Sequence, residues 1–157
     1  MNINNQGNLV TYQIFVDADA IPFKIREAII RYSKRTEKRT LFVSNHFFKM
    51  SKHPFVEQVF VGKQIDQADN HIVSLIQAKN LVITQDLLLA KQVLEKAGKV
   101  LNQYGEELLL STVNEKLSFR EFYSQMRDMT VETNANQKAY STKDLERFSN
   151  SLNNWKW

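Results

Sequence analysis

The chain has 157 residues, of which 43% are hydrophobic and 24% charged, and its formal net charge at pH 7 is +4. This length is typical of one globular domain, and no apolar run approaches the roughly 18 residues that a membrane span requires. The first residues lack the basic and apolar segments of a signal peptide. Because the chain contains no cysteine, disulfides, thiolate nucleophiles and cysteine zinc sites are excluded. We therefore expect a cytoplasmic protein that does not associate with membranes.

Segments with strand and helix patterns alternate along the chain after an Asn-rich leader at residues 1–8. The predicted strands cover residues 9–16, 40–44, 56–61, 81–84 and 100–101, and the predicted helices cover residues 22–34, 68–78 and 87–97. Two capping-box patterns, Thr112-x-x-Glu115 and Ser118-x-x-Glu121, predict two short helices that end near Arg127. This alternation predicts an α/β fold, a three-layer parallel sheet with helices on both faces.

The composition changes after Met129. Residues 130–142 are rich in Asn, Gln and Thr and predict a linker, which a last helix at 143–153 and two terminal tryptophans follow. We therefore assign residues 9–129 to the α/β domain and residues 130–157 to a polar linker and C-terminal helix. The tryptophans are expected to dock on the same chain, because large exposed apolar groups usually find an apolar patch.

Five aspartates fall where predicted strands end or the following helices begin. They are Asp17 and Asp19 after the first strand, Asp66 and Asp69 at the entry to helix 68–78, and Asp86 after strand 81–84. Parallel strands end at one edge of the sheet, where ligands usually bind, so we expect these acids to meet there. Their mutual repulsion predicts a bound cation or a raised carboxyl pKa. Oxygen ligands favour Mg²⁺ or Mn²⁺.

A simpler interpretation makes each aspartate a helix cap, since aspartate is a preferred N-cap residue. Capping suits Asp19, Asp66 and Asp86, each of which lies shortly before a predicted helix. It explains Asp17 poorly, because that residue still belongs to an apolar strand. For the set as a whole, the metal site is the preferred interpretation.

Four spaced motifs between about Ile14 and Arg127 resemble the YaiI/YqxD family of small bacterial proteins. They are Val16-Asp17-Ala18-Asp19-Ala20-x-Pro22, Asp66-x-Ala68-Asp69-x-x-Ile72, Val82-Ile83-Thr84-x-Asp86-x-x-Leu89-Ala90 and Leu101-Asn102-x-x-Gly105. The family is grouped with PIN-like domains, which are metal-dependent ribonucleases with clustered acids at a sheet edge. The resemblance therefore implies a PIN-like fold and the same edge. The chain departs from the family at Ile21, where the family usually has Cys, but its carboxylates are intact.

The leading hypothesis is a Mg²⁺- or Mn²⁺-dependent nuclease that acts on RNA. Asp17, Asp69 and Asp86 are the candidate catalytic residues, and all five aspartates are candidate metal ligands. The ions would activate a water molecule and stabilise the leaving oxygen. Thr84 is a candidate support for a carboxylate or for a metal-bound water; its simpler role is a buried strand threonine. Asn102 is a turn residue that the resemblance places at the same edge.

Residues 24–39 contain seven cations and two acids, and residues 44–55 interleave aromatic and basic side chains. Such patterns bind single-stranded RNA, with phosphates on the cations and bases on the rings. The candidate nucleic-acid contacts are Lys24, Arg31, Lys34, Arg35, Lys38, Arg39, Phe47, Phe48, Lys49 and Lys52. The simpler alternatives are the solvated face of a helix and a loop that its phenylalanines anchor to the core.

Two other functions stay open from the sequence. One is a nucleic-acid or protein-binding module whose metal site is vestigial. The other is a phosphatase of haloacid-dehalogenase type, because a strand that ends in Asp-x-Asp can present a nucleophile and an acid. Against the phosphatase, Ile21 stands where that motif usually has Thr or Val, and no adjacent Asp-Asp pair follows. The sequence leaves the oligomeric state open, a homodimer included.

Overall fold

A computed structural model describes residue 3 and residues 6–64, 66–127 and 138–157. The strands are β1 (Ile14–Asp17), β2 (Thr40–Ser44), β3 (Val56–Phe60), β4 (Leu81–Ile83), β5 (Lys99–Leu101) and β6 (Glu107–Leu108). The helices in these ranges are α1 (Phe23–Thr36), α2 (Gln67–Leu75), α3 (Leu87–Glu95), α4 (Leu110–Arg127) and α5 (Thr142–Asn153). A 3₁₀ turn, Ala18–Ala20, separates β1 from α1. None of these helices is long and apolar enough to cross a membrane.

The six strands form one sheet in the order β3-β2-β1-β4-β5-β6. Strands β1 to β5 are parallel, and β1 pairs with both β2 and β4. The expected layered α/β fold is confirmed, with one correction, because β6 is antiparallel to β5. A strand of two residues carries no periodic pattern, so the sequence does not reveal it.

Helices cover both faces of the sheet and create two separate cores. Successive side chains of a strand point to opposite faces, so Ile14 and Val16 pack against α1 and α5, whereas Phe15 packs against α2, α3 and α4. The central strands are therefore buried on both faces, which explains their continuous apolar runs.

The C-terminal segment completes the core on the α1 face. Phe148 and Leu152 of α5 are buried there, and Trp155 packs beside them. The indole N–H of Trp157 donates a hydrogen bond to the hydroxyl oxygen of Tyr32 at 2.9 Å. The expected docking of the tryptophans on their own chain is thus confirmed. Most of the predicted linker, residues 130–137, lies outside the described residues.

The prediction of two short helices before Arg127 is wrong, because α4 is a single helix. Thr112 and Ser118 lie inside it, so neither is an N-cap. No Gly or Pro occurs between residues 106 and 127 to interrupt the helix, and a Ser/Thr–Glu pair three residues apart also fits within a helix. The first strand is also shorter than expected, since it starts at Ile14 rather than at residue 9.

Candidate functional site

Asp17 is the last residue of β1 and only 5% exposed. Its Oδ2 accepts a hydrogen bond of 2.8 Å from the Thr84 hydroxyl, whose oxygen in turn accepts the backbone N–H of Asp86 at 3.0 Å. Burial raises the pKa of Asp17 to about 6 against the opposing effect of the Thr84 hydrogen bond, and the charges of Asp86 and Asp19 add to the rise. Thr84 is thus a fully buried threonine in direct contact with a carboxylate, and its supporting role in a metal site stays a prediction.

Asp86 begins α3 and caps it. Its Oδ1 accepts the backbone N–H groups of Leu88 at 2.8 Å and Leu89 at 3.2 Å. The capping interpretation is correct for this residue, and it fixes the carboxylate in one orientation. Both capping bonds use Oδ1, and the Asp86 side chain also has a hydrogen bond with the side chain of Asp69.

Asp69 lies half-buried in the first turn of α2. Burial is the largest cause that raises its pKa, to about 7, followed by the charges of Asp17, Asp86 and Asp66. A hydrogen bond with the Asp86 side chain further favours the protonated form of Asp69. Of the five aspartates that the sequence groups at this edge, the fold thus places Asp17, Asp69 and Asp86 close enough for the charges of Asp17 and Asp86 to raise the pKa of Asp69.

The other two aspartates lie at the rim. Asp66 is exposed at the start of α2 in a left-handed conformation, φ 64°, and its side chain makes no capping hydrogen bond. Asp19 is exposed, accepts the backbone N–H of Asn45 and lies 3.4 Å from Nδ1 of His46. The five acids therefore divide into an inner group, Asp17, Asp69 and Asp86, and an outer pair.

The inner group consists of acidic side chains only. Among the described residues, no Lys, Arg or His forms an ion pair with any of its three members. Hard carboxylate oxygens match the chemistry of Mg²⁺ and Mn²⁺. As placed in the described part of the chain, however, no three His, Asp or Glu side chains form a group close enough to hold a metal ion. The site fits a cation by charge and donor type but is not a preformed coordination shell.

Asn102 organises the turn between β5 and β6. Its Oδ1 accepts the backbone N–H groups of Tyr104 at 3.0 Å and Glu106 at 2.9 Å, and its amide donates to Glu106 Oε2 at 2.7 Å. These contacts match the simpler interpretation of a turn residue. Gln85 ties this turn to the loop before α3, because its Oε1 accepts the backbone N–H of Gln103 at 2.9 Å. The sequence carries no signal for that contact.

The candidate RNA-binding cations divide into two sets. Arg35 donates to Asn153, Lys38 lies 4.7 Å from the ring centre of Trp157, and Arg39 approaches Glu57 to 3.9 Å. The remaining cations of this helix face, Lys24, Arg31 and Lys34, have no ion pair within the described ranges. They lie at different distances from the carboxylates, because α1 runs from the carboxylate edge to the opposite edge over about 20 Å.

The aromatic loop after β2 is only partly available to a ligand. Phe48 packs edge-on against Phe42 with ring centres 5.9 Å apart, and the Arg26 guanidinium lies 4.5 Å from the centre of its ring. Phe48 is therefore an anchor, whereas Phe47 is 81% exposed. Lys49 and Lys52 of the same loop are exposed as well.

Arg26 is a positioning residue that the sequence did not single out. Its Nε and Nη2 both donate to the carbonyl oxygen of Ala18, at 3.2 and 2.8 Å. This contact holds the 3₁₀ turn that carries Asp19. Arg26 is one of the seven cations of residues 24–39, and nothing in the local pattern distinguishes it from its neighbours.

Comparison with known proteins identifies the family of the chain. A UPF0178 protein of Shewanella sp. (strain MR-4) is 38% identical over 144 residues, which cover 92% of this chain and 95% of that protein. Another, from Pectobacterium carotovorum subsp. carotovorum (strain PC1), is 38% identical over 143 residues, 91% of this chain and 95% of the relative. No solved structure matches the chain. The model of the YaiI/YqxD family, described as uncharacterised, matches residues 15–156, and the chain belongs to this family.

Proposed function

We propose that this protein is a divalent-metal-dependent nuclease that acts on single-stranded RNA through Asp17, Asp69 and Asp86. One observation carries the proposal: at the edge of a parallel sheet, burial and the charges of neighbouring aspartates raise the pKa values of Asp17 and Asp69, and no Lys, Arg or His among the described residues forms an ion pair with these acids. A divalent ion would convert this repulsion into attraction. The PIN-like likeness of the motifs supports the same assignment.

The chain's own residues have distinct roles in this proposal. Thr84 orients the Asp17 carboxylate, and the α3 cap orients Asp86, so two of the three acids are held before any ligand arrives. Asp69 joins them from α2, with Asp19 and Asp66 at the rim. When bound, Mg²⁺ or Mn²⁺ supplies an activated water molecule and neutralises charge on the leaving oxygen.

A binding module is the second candidate. It is favoured by the fact that no group of three possible ligands in the described residues is close enough to hold an ion. The phosphatase has less support, because Asp17 would have to reach a phosphorus atom but is 5% exposed and bonded to Thr84.

The metal site is tested by thermal unfolding with and without the ions. Millimolar Mn²⁺ or Mg²⁺ is expected to raise the melting temperature, because a ligand that binds only the folded state stabilises it. Asp69→Asn should remove the increase, whereas Glu146→Gln, an exposed acid on α5, should retain it. If neither ion changes the melting temperature of the wild type, the proposal is contradicted.

Catalysis is tested with single-stranded RNA in Mn²⁺, with EDTA as the control. Metal-dependent cleavage needs all of its ligands together. Replacing any one of Asp17, Asp69 and Asp86 by Asn should therefore abolish nearly all activity. Phosphate release from a small aryl phosphate would instead support the phosphatase. Intact RNA and no free phosphate after long incubation would favour the binding module.

A further inference from the structure

Helix α4 has two apolar faces, and the core that contains α3 covers only one of them. Val113 is fully buried and Leu117 packs beside it, whereas Phe119, Phe122 and Tyr123 are 53%, 55% and 57% exposed. At about 100° per residue, these three aromatic residues form one stripe, which points roughly 150° away from the core-facing side. We call Phe119, Phe122 and Tyr123 the aromatic stripe.

The rings of the aromatic stripe contact one another. Phe119 and Tyr123 are nearly parallel, with centres 6.4 Å apart and an angle of 25°, and Phe122 meets Tyr123 edge-on at 5.7 Å. More than half of the surface of each of these residues is exposed to solvent. A cluster of exposed aromatic rings on a protein surface marks a binding site more often than a single exposed ring does.

One flank of the stripe is basic. On the helical projection, Lys116, Arg120 and Arg127 follow one another along the same side of the stripe, and none forms an ion pair within the described ranges. Of the two acids of α4, Glu115 lies on the face of the stripe one turn before Phe119, and Glu121 lies toward the core-facing side, so cations outnumber acids beside the rings by three to one. Rings beside cations suit a ligand with planar groups and negative charge, as single-stranded nucleic acids have.

A second copy of the chain fits this surface less well. In an antiparallel two-fold pairing of α4 helices, each flank meets the same flank of its partner. The basic flank that carries Lys116, Arg120 and Arg127 would then face the same flank of the partner copy, and like charges across an interface disfavour association. The charge pattern therefore favours a polyanion.

The topology directs the stripe toward the carboxylates. Strand β6 runs antiparallel to β5, so α4 starts at the edge opposite to Asp17 and, packing along α3, returns toward the carboxylate edge. The 18 residues of α4 span about 27 Å and the nine of α3 about 14 Å, so the second half of α4 passes beyond the core. Residues 118–127 are accordingly all exposed.

We propose that the aromatic stripe stacks the unpaired bases of single-stranded RNA while Lys116, Arg120 and Arg127 hold its phosphates. The strand is thereby led to the edge that holds Asp17, Asp69 and Asp86. This inference rests on the proposed nuclease function, since it names the surface that presents the substrate to that site.

The test measures binding in EDTA, where no metal-dependent cleavage occurs. The probe is a fluorescein-labelled oligoadenylate of about 12 nucleotides, read by anisotropy, with a duplex of the same length for comparison. Replacing all three aromatic residues by Ala should weaken single-strand binding at least tenfold, because each stacked base contributes to affinity. Leu109→Ala, which removes an apolar group 57% exposed outside the stripe, is the matched control and should bind as the wild type does.

Charge and fold are checked in parallel. Arg120→Gln with Arg127→Gln should weaken binding and make it less sensitive to salt, and Glu146→Gln, at an exposed acid on α5, should leave binding in EDTA intact. Loss of binding in the triple variant alongside an inactive wild type would support the stripe and contradict the nuclease. Unchanged binding by the triple variant would overturn the stripe. Two further results would also overturn it. They are a lower melting temperature of the triple variant, or its loss of self-association in sedimentation, when its RNA affinity equals that of the wild type.

Discussion

Asp17 is a carboxyl group that the fold buries at a cost. Its burial favours the protonated form, and the pKa rises to about 6 from an ordinary value of 3.8. A carboxyl whose pKa is higher in the folded than in the unfolded state binds its proton more tightly when folded. The free energy of unfolding therefore falls as pH rises through about 4 to 6, and the raised pKa of Asp69, about 7, extends this fall.

Asp17→Asn should abolish its share of this pH dependence. At pH values above 7 and without metal, the variant should be more stable than the wild type by about 2–3 kcal/mol, since each pKa unit corresponds to 1.36 kcal/mol. Urea unfolding at several pH values between about 4 and 8 measures this difference. If the variant proves less stable at the alkaline end, burial of the charge is not the dominant effect.

Helix α1 illustrates how one element divides a run of similar residues between two roles. Arg35 donates to Asn153 of α5 and lies 5.6 Å from the ring centre of Tyr32, whereas the adjacent Lys34 points to solvent. The basic segment is thus in part a solvated face and in part a contact between α1 and α5. Neither description fits all six candidate RNA-binding cations between residues 24 and 39, four of which lie on α1.

Arg35→Ala is expected to lower the melting temperature by about 2–4 °C, the shift that a loss near 1 kcal/mol produces in a domain of this size. Lys34→Ala is the matched control, because it removes an equal charge one residue away from the contact. Its melting temperature should equal that of the wild type. Equal decreases in the melting temperatures of both variants would mean that loss of a positive charge on the helix, rather than loss of the Arg35–Asn153 hydrogen bond, causes the decrease.

The C-terminal helix α5 packs against two separate parts of the domain, α1 and the turn between β5 and β6. Phe148 is fully buried in the core on the α1 face, and the Ser151 hydroxyl donates to the carbonyl oxygen of Gly105 at 2.7 Å. Gly105 has φ +78° and lies so close to Arg147 that no side chain fits there. Helix α5 thus closes both on α1 and on the turn that Asn102 organises.

Phe148→Ala should lower the free energy of unfolding of the entire protein by about 3–5 kcal/mol, the cost of a large cavity in a core. Denaturant unfolding should remain one cooperative transition, with fluorescence and circular dichroism changing together. Two separate transitions would instead mean that residues 130–157 are independent of residues 9–129. Leu88→Ala, at a side chain 58% exposed, is the control and should have little effect.

Local patterns in the sequence were sufficient for the central strands and for the meeting of Asp17, Asp69 and Asp86. Strands buried on both faces need continuous apolar runs, and parallel strands end at one edge, so both results follow from short-range rules. The same rules failed for α4, because a Ser/Thr–Glu pair has the same spacing inside a helix as at its start.

The sequence by itself determined which chemical groups reach the sheet edge; the tertiary structure decided what each of them contacts. Asp86 is both a cap and a member of the inner group, Asp19 turns toward Asn45, and Phe48 anchors its loop beneath Arg26. These outcomes depend on contacts between residues far apart in the chain, which no local period encodes. Burial has the same origin, and it is burial that raises the pKa of Asp17 and leaves the stripe on α4 exposed.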